Sequence, residues 1–282
     1  MPARLSIVTP TLNCAGFIRA TLESVRPLVG QGAEHVVVDS GSTDGTVELC
    51  HLAGALVIEH PRGNMYAAIN AGVRHSRGDW VTYINGDDLL YADAIEAMLK
   101  GDVAGADVLY GNIDHVDAAG RFLHHWKSPR ASQISRAFPA GLNPVFQQGT
   151  LFTRHLFKRL NGFSADYYIS ADFDFFLRAF VLKARFQKFE GAPVAAFRLH
   201  RNQLSQVSGS QAQHEQVLES CRRNGIKTSG FARFTGFLLN RGRNVPSFVV
   251  RVLRHRHMGG GLIVPRTMDV PAERNERRRA GG

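Results

Sequence analysis

The chain has 282 residues, 44% of them hydrophobic and 21% charged, which suits one large α/β domain with an appendage, or two small domains. The formal net charge of +10 sits at one end: residues 1–220 carry 20 Lys+Arg against 21 Asp+Glu, and residues 221–282 carry 14 against 3. A nucleic-acid module would carry its charge on the folded body, so this distribution argues against one and fits a basic tail facing an anionic membrane surface.

Leu5 to Thr9 reads as a short buried strand ended by Pro10. Phe17, Ile18, Leu22 and Val25 then recur at helical spacing as far as Pro27. His35 to Asp39 is a β-branched strand closing on an acid, and Asp44 is placed to cap a helix from Thr46 to Leu52. A strand over Leu56 to Glu59, a helix over Met65 to His75, a strand over Trp80 to Asn85 and a helix over Ala92 to Leu99 follow. Continuous apolar strands separated by helices predict a mostly parallel, doubly wound sheet covered on both faces.

After about Leu99 the pattern is mixed. Strands are expected over Asp107 to Asn112, Phe122 to Trp126, Phe186 to Phe189 and Val194 to His200, with a helix over Asp172 to Lys183. Phe138 to Gln148 reads as a loop near a site. The expected organisation is a Rossmann-like half (1–100), a mixed half of the same domain set against it on the acceptor side (101–209), a helical basic tail (210–270) and a disordered end (271–282). No run approaches the roughly 18 apolar residues of a membrane span. The opening Met1-Pro2-Ala3-Arg4-Leu5 leads directly into a strand, so no signal peptide is expected. Cys14, Cys50 and Cys221 lack metal-ligand spacing and fit reduced thiols of a cytoplasmic protein.

In open α/β sheets ligands bind beyond the carboxyl ends of the strands. Three such ends here are polar: Thr9-Pro10-Thr11-Leu12-Asn13, Asp39-Ser40-Gly41-Ser42 and Asn85-Gly86-Asp87-Asp88. Neither a dinucleotide-binding glycine fingerprint nor a Walker loop is present, so a diphosphate here needs a divalent cation on strand-end carboxylates. One of the adjacent acids Asp87 and Asp88 can bind metal while the other caps the helix from Ala92 to Leu99; taken alone, the pair reads first as two helix-capping acids.

Ser6 to Asn13, Val37 to Thr46, Met65 to Gly72, Gly78-Asp79-Trp80 and Asn85 to Asp88 together resemble the opening of family 2 glycosyltransferases. Gln148 to Phe152, Gly162-Phe163, Ser170 to Arg178 and Phe197 to His200 continue the match in order, over roughly residues 4 to 206. The resemblance, shared with bacterial polysaccharide and colanic-acid enzymes, implies a GT-A fold, a nucleoside-diphosphate-sugar donor, Mg2+ or Mn2+, and inversion at the anomeric carbon. UDP is the first expectation for the nucleotide, with GDP or dTDP as alternatives. Residue by residue it implies Asp39 at the base, Asn85 near the ribose, Asp87 and His200 at the metal, and Asp172 as general base. Thr9, Pro10, Asn13, Gly41, Asn70 and Gly86 are further donor-side candidates; Gln148 and Arg178 are candidates on the acceptor side.

Departures from the family pattern are Asn85 for a common Asp, Ala171 for a Glu before the base, and Ala67 for an Asp. Asp174 is expected to orient Arg178 at i+4 rather than act as a second base. The expected acceptor is a glycan or a lipid-linked molecule. The basic amphipathic tail either lies on the inner face of the plasma membrane or docks on the protein itself or a second copy. Two other functions stand beside this reading: a non-catalytic nucleotide-sugar-binding scaffold, and a nucleic-acid binder using the tail. Oligomeric state is left open.

Overall fold

The computed structural model describes residues 5–200, 203, 209–230, 242 and 244. A seven-stranded sheet has the order β10-β6-β9-β4-β1-β2-β3. Its strands are β1 (Leu5–Thr11), β2 (Glu34–Asp39), β3 (Leu56–Glu59), β4 (Trp80–Tyr83), β6 (Val108–Tyr110), β9 (Thr150–Thr153) and β10 (Phe186–Lys188). β1 to β4 are mutually parallel, whereas β9 runs antiparallel to both β4 and β6. Both predicted halves thus contribute to one sheet. A second sheet, ordered β5-β11-β7-β8, stands beside the site; its strands are β5 (Leu89–Leu90), β7 (Ile113–Asp117), β8 (Phe122–Trp126) and β11 (Ala195–Leu199).

The helices are α1 (Ala15–Gly30), α2 (Thr46–Leu52), α3 (Met65–His75), α4 (Ala92–Lys100), α5 (Ile134–Ala137), α6 (Arg154–Arg159), α7 (Ala171–Val181) and α8 (Gly209–Arg223). α3, α7 and the central strands enclose one apolar cluster that includes Val8, Val38, Ile69, Phe152, Phe163, Phe173 and Phe175. A second lies where α4 meets the other face, around Ile7, Ile84, Ile95, Leu109 and Leu151. Strands buried on both faces need apolar side chains at successive positions, and Ile7 and Val8 point into different clusters.

Two predicted boundaries are corrected. Pro10 does not end β1, which continues to Thr11 beside Asp39. β4 pairs with β1 only as far as Val8, so the side on which Pro10 lacks an N–H has no ladder to break. Likewise α1 passes through Pro27 and ends at Gly30, within the last turn. The predicted loop after Phe138 contains two single-turn 3-10 helices, Phe138–Ala140 and Gln147–Gly149.

Candidate active site

The turn after β4 is held from beneath by α1 and from the side by β11. Thr21, fully buried on α1, donates its hydroxyl to the carbonyls of Gly86 (3.0 Å) and Asp88 (2.8 Å). A Cβ on Gly86 would stand 2.7 Å from the sulfur of Cys14, so glycine is needed for this close approach. Arg198 on β11 donates its Nε to the Asp87 carbonyl (2.7 Å) and its amide to the Asp88 carboxylate (2.9 Å).

The two aspartates of this turn have separate environments. Asp88 is fully buried, and besides Arg198 it accepts from Gln148 at 3.0 Å and Asn85 at 3.4 Å. Its predicted role as a cap is wrong, because α4 starts after Tyr91 with no side-chain cap and Asp88 is turned inward. Burial, then the charge of Asp87, pushes the Asp88 carboxyl well above the ordinary range, against the Arg198 and Gln148 hydrogen bonds. Asp87 instead meets solvent, and its Oδ2 lies 2.8 Å from Nε2 of His200, with side-chain exposures of 20% and 11%.

Asn85 completes the group. Its Oδ1 is buried without a hydrogen-bond partner, an acceptor whose burial is uncompensated within the protein. Among the described residues no cluster of three or more His, Cys, Asp and Glu side chains could cage a metal. The Asp87–His200 pair fits the other way of holding Mg2+ or Mn2+, in which one or two protein ligands share the ion with substrate phosphates and water.

The second strand end is a closed loop. Asp39 is buried; its Oδ1 accepts from Thr11 (2.8 Å) and the Ser42 hydroxyl (2.6 Å), and its Oδ2 from the amides of Gly41 (2.9 Å) and Ser42 (2.8 Å). Burial opposes the charge, but these four bonds outweigh it and hold the carboxyl below the usual range. A base contact at Asp39 would have to displace one of the four. Gly41, at φ +82°, provides the left-handed turn that aims its amide back at Asp39. Asn13, also left-handed at φ +49°, stitches this loop to β1 by accepting from the Thr43 amide on its side-chain Oδ1 and donating its own backbone amide to the Ser42 hydroxyl oxygen (2.8 Å each). Arg62 folds over the same loop, donating to the carbonyls of Ser40 (3.3 Å) and Gly41 (2.9 Å).

Three residues expected on the donor side are engaged within the protein itself. Thr9 is fully buried, 2.9 Å from Nε2 of His35, and Pro10 is buried beside it in the strand. Asn70 uses its side-chain amide on the backbone of Phe163, donating to the carbonyl (2.8 Å) and accepting from the amide (2.9 Å). It joins α3 to the Gly162-Phe163 turn.

Asp172 occupies the first turn of α7. Its Oδ1 is 3.3 Å from the Tyr66 hydroxyl and its Oδ2 3.2 Å from the Asn143 amide. Burial pushes its carboxyl up to about 6, against the hydrogen bonds it accepts. Asp174 faces elsewhere, accepting from Arg178 (2.6 Å) and Ser220 (2.7 Å). The two residues expected on the acceptor side make contacts within the protein. Arg178 uses its other nitrogens on the carbonyls of Leu160 and Gly162, and Gln148 is buried against Asp88, so both brace the fold.

Residues 6–160, more than half of the chain, match the pattern described as glycosyl transferase family 2. The chain belongs to glycosyl transferase family 2. It is 29% identical over 201 residues to a PGL/p-HBAD biosynthesis glycosyltransferase of Mycobacterium bovis, covering 68% of this chain and 75% of that protein. It is 31% identical over 190 residues to a glycosyltransferase of Mycobacterium tuberculosis, covering 62% and 68%.

Solved structures show the same GT-A fold at low identity. Staphylococcus aureus TarS 1–349 in complex with UDP-GlcNAc superposes with a TM-score of 0.62 at 18% identity, over 88% of this chain and 76% of that one. Glucosyl-3-phosphoglycerate synthase of M. tuberculosis in complex with Mn2+, UDP and phosphoglyceric acid gives 0.55 at 24% identity, over 81% of each chain.

Within this family 2 glycosyltransferase, sequence reasoning assigned no role to Thr21, Arg198, Tyr66, Asn143 or Arg62. Arg198 and Tyr66 stood inside recognised motifs, and their position there was the available signal. Thr21 and Asn143 carried none, since only the tertiary fold brings them to the aspartates.

Proposed function

We propose that this glycosyltransferase moves a sugar from a nucleoside-diphosphate donor, UDP first, to a hydroxyl of a glycan or lipid-linked acceptor, with inversion. The observation that carries this reading is Asp172: a carboxylate at about 6, held between Tyr66 and Asn143. That value suits a general base at neutral pH, where it is ionised yet basic enough to take a proton. As the acceptor oxygen attacks the anomeric carbon, Asp172 accepts its proton and the sugar–phosphate bond breaks, its electron pair leaving with the diphosphate. Retention by double displacement needs a second, nucleophilic carboxylate; Asp174 is tied to Arg178 and Ser220, which supports the single inverting step.

Asp87 and His200 would hold Mg2+ or Mn2+, which as a Lewis acid stabilises charge on the leaving diphosphate. The complex of Mn2+ and UDP with the M. tuberculosis synthase supports both choices. Asn85, with its unsatisfied Oδ1, is proposed to accept from a donor hydroxyl. Asp39 and Gly41 would define the base side through the loop they order.

The basic residues after 221 would place the enzyme at the cytoplasmic face of the plasma membrane, where a lipid-linked acceptor is presented. The test is nucleoside diphosphate release requiring donor, acceptor and Mn2+ together. Asp172→Asn should lose transfer while calorimetry still shows UDP binding; full activity in that variant would remove Asp172 as the base.

A further inference from the structure

Phe17 lies in the first turn of α1, one turn before Thr21. Its ring stacks on the imidazole of His200, with centroids 4.5 Å and planes 27° apart. The guanidinium carbon of Arg198 lies 5.4 Å from the same ring's centroid. The core face of α1 is made by other residues, Ile18, Leu22, Val25 and Leu28, while Phe17 stays half-buried. One ring therefore bears on both groups that address Asp87: His200 at its carboxylate (2.8 Å) and Arg198 at its carbonyl (2.7 Å).

We infer that Phe17 is a positioning residue for the reaction, a wedge that fixes the plane of His200 so that Nε2 faces Asp87. The inference rests on the metal–diphosphate reading of that pair. The χ2 torsion of histidine is broad, so the backbone of Leu199 and His200 does not by itself set the ring's orientation. A stacked neighbour restricts that torsion, because turning the imidazole out of the stack loses contact over a whole ring face and carries Nε2 away from Asp87. The same ring offers Arg198 a cation–π contact, which resists any movement of the guanidinium off the Asp87 carbonyl. A leucine of similar bulk fills the space but has no aromatic face.

The experiment compares Phe17→Tyr, Phe17→Leu and Phe17→Ala in the full chain. It reads Mn2+ binding in the presence of UDP by calorimetry, the proton shifts of the His200 ring by NMR, and kcat against donor KM. Phe17→Tyr should stay within about twofold of wild type, whereas Phe17→Leu and Phe17→Ala should weaken Mn2+–UDP binding about three- to tenfold. In the last two the His200 ring protons should move downfield as the ring current is lost, and kcat should fall in the same proportion. A folded Phe17→Leu chain that binds Mn2+ with UDP as tightly as wild type overturns the inference and leaves the metal–diphosphate reading standing. A wild-type chain that binds no Mn2+ with UDP overturns both.

Discussion

Asp172 and His35 show how burial at single residues couples activity and stability to pH. In the proposed role of base Asp172 acts only when ionised, so kcat/KM should fall about tenfold per pH unit below about 6. Its raised value also means that the folded chain binds this proton more tightly than the unfolded chain does. The stability from that group is present at low pH and lost as pH rises through about 6. Asp172→Asn should therefore be more stable than wild type by about 1–2 kcal/mol at pH 8, after allowing for partial exposure, with the gain vanishing near pH 4. Thermal unfolding across that range measures it; a variant less stable at pH 8 would contradict the account.

His35 has the opposite sign. Burial lowers its imidazole to about 4, so it contributes stability above its ordinary value of 6.5 that is lost as pH falls toward 4. Thr9 and His35 thus form a neutral pair inside the sheet at neutral pH. Gly162 is a third residue-scale case. It has φ +74°, and a Cβ there would stand 2.6 Å from the Asn70 Oδ1 that receives the Phe163 amide. Gly162→Ala should destabilise by about 1–3 kcal/mol in denaturant unfolding, through strain and the displaced Asn70.

At the scale of elements, α1 serves the site more than its sequence suggests. Its buried face packs on the sheet, and Thr21 crosses to the turn after β4 with one hydroxyl shared between two carbonyls. Thr21→Val keeps the shape and removes the donor, so it should cost about 1–3 kcal/mol and loosen the Asp87 turn. Hydrogen exchange at the Gly86 to Asp88 amides would report that loosening locally. β11 supplies the other support, and it reaches the turn through β5, a two-residue strand paired antiparallel to it. The strands of the first half were legible from their β-branched runs, and α3 and α7 from their apolar spacing. β5 was not legible, because two residues carry no periodicity. Pro10 misled for a related reason: whether a proline breaks a strand depends on which edge its nitrogen faces, and only the register of β1 against β4 answers that.

For the molecule as a whole, charge asymmetry is the feature with the widest consequence. The body is near neutral and the basic residues gather after 221. Among the described residues after 230, Asn244 is buried, and its side chain accepts from the Lys127 amide just after β8 (2.9 Å). The rest of the predicted amphipathic stretch and the expected disordered end lie outside the described residues. Removing residues 245–282 should spare transfer to a soluble acceptor and reduce binding to phosphatidylserine vesicles, with the difference fading at high salt. Vesicle sedimentation at two ionic strengths measures this; unchanged sedimentation would leave the tail without a membrane role.

What the sequence by itself determined was the alternation of strand and helix, the family, and the polar strand ends. These follow from local periodicity and from motifs in a fixed order. What only the tertiary structure decided was how the labour is divided within those ends. Asp87 and Asp88 are neighbours with the same side chain, yet one meets His200 in partial exposure and the other is sealed under Arg198 and Gln148. Those partners come from 110 and 60 residues away along the chain for Asp88. A carboxylate's protonation and reach are set by what surrounds it in space, and no pattern along the chain encodes that environment.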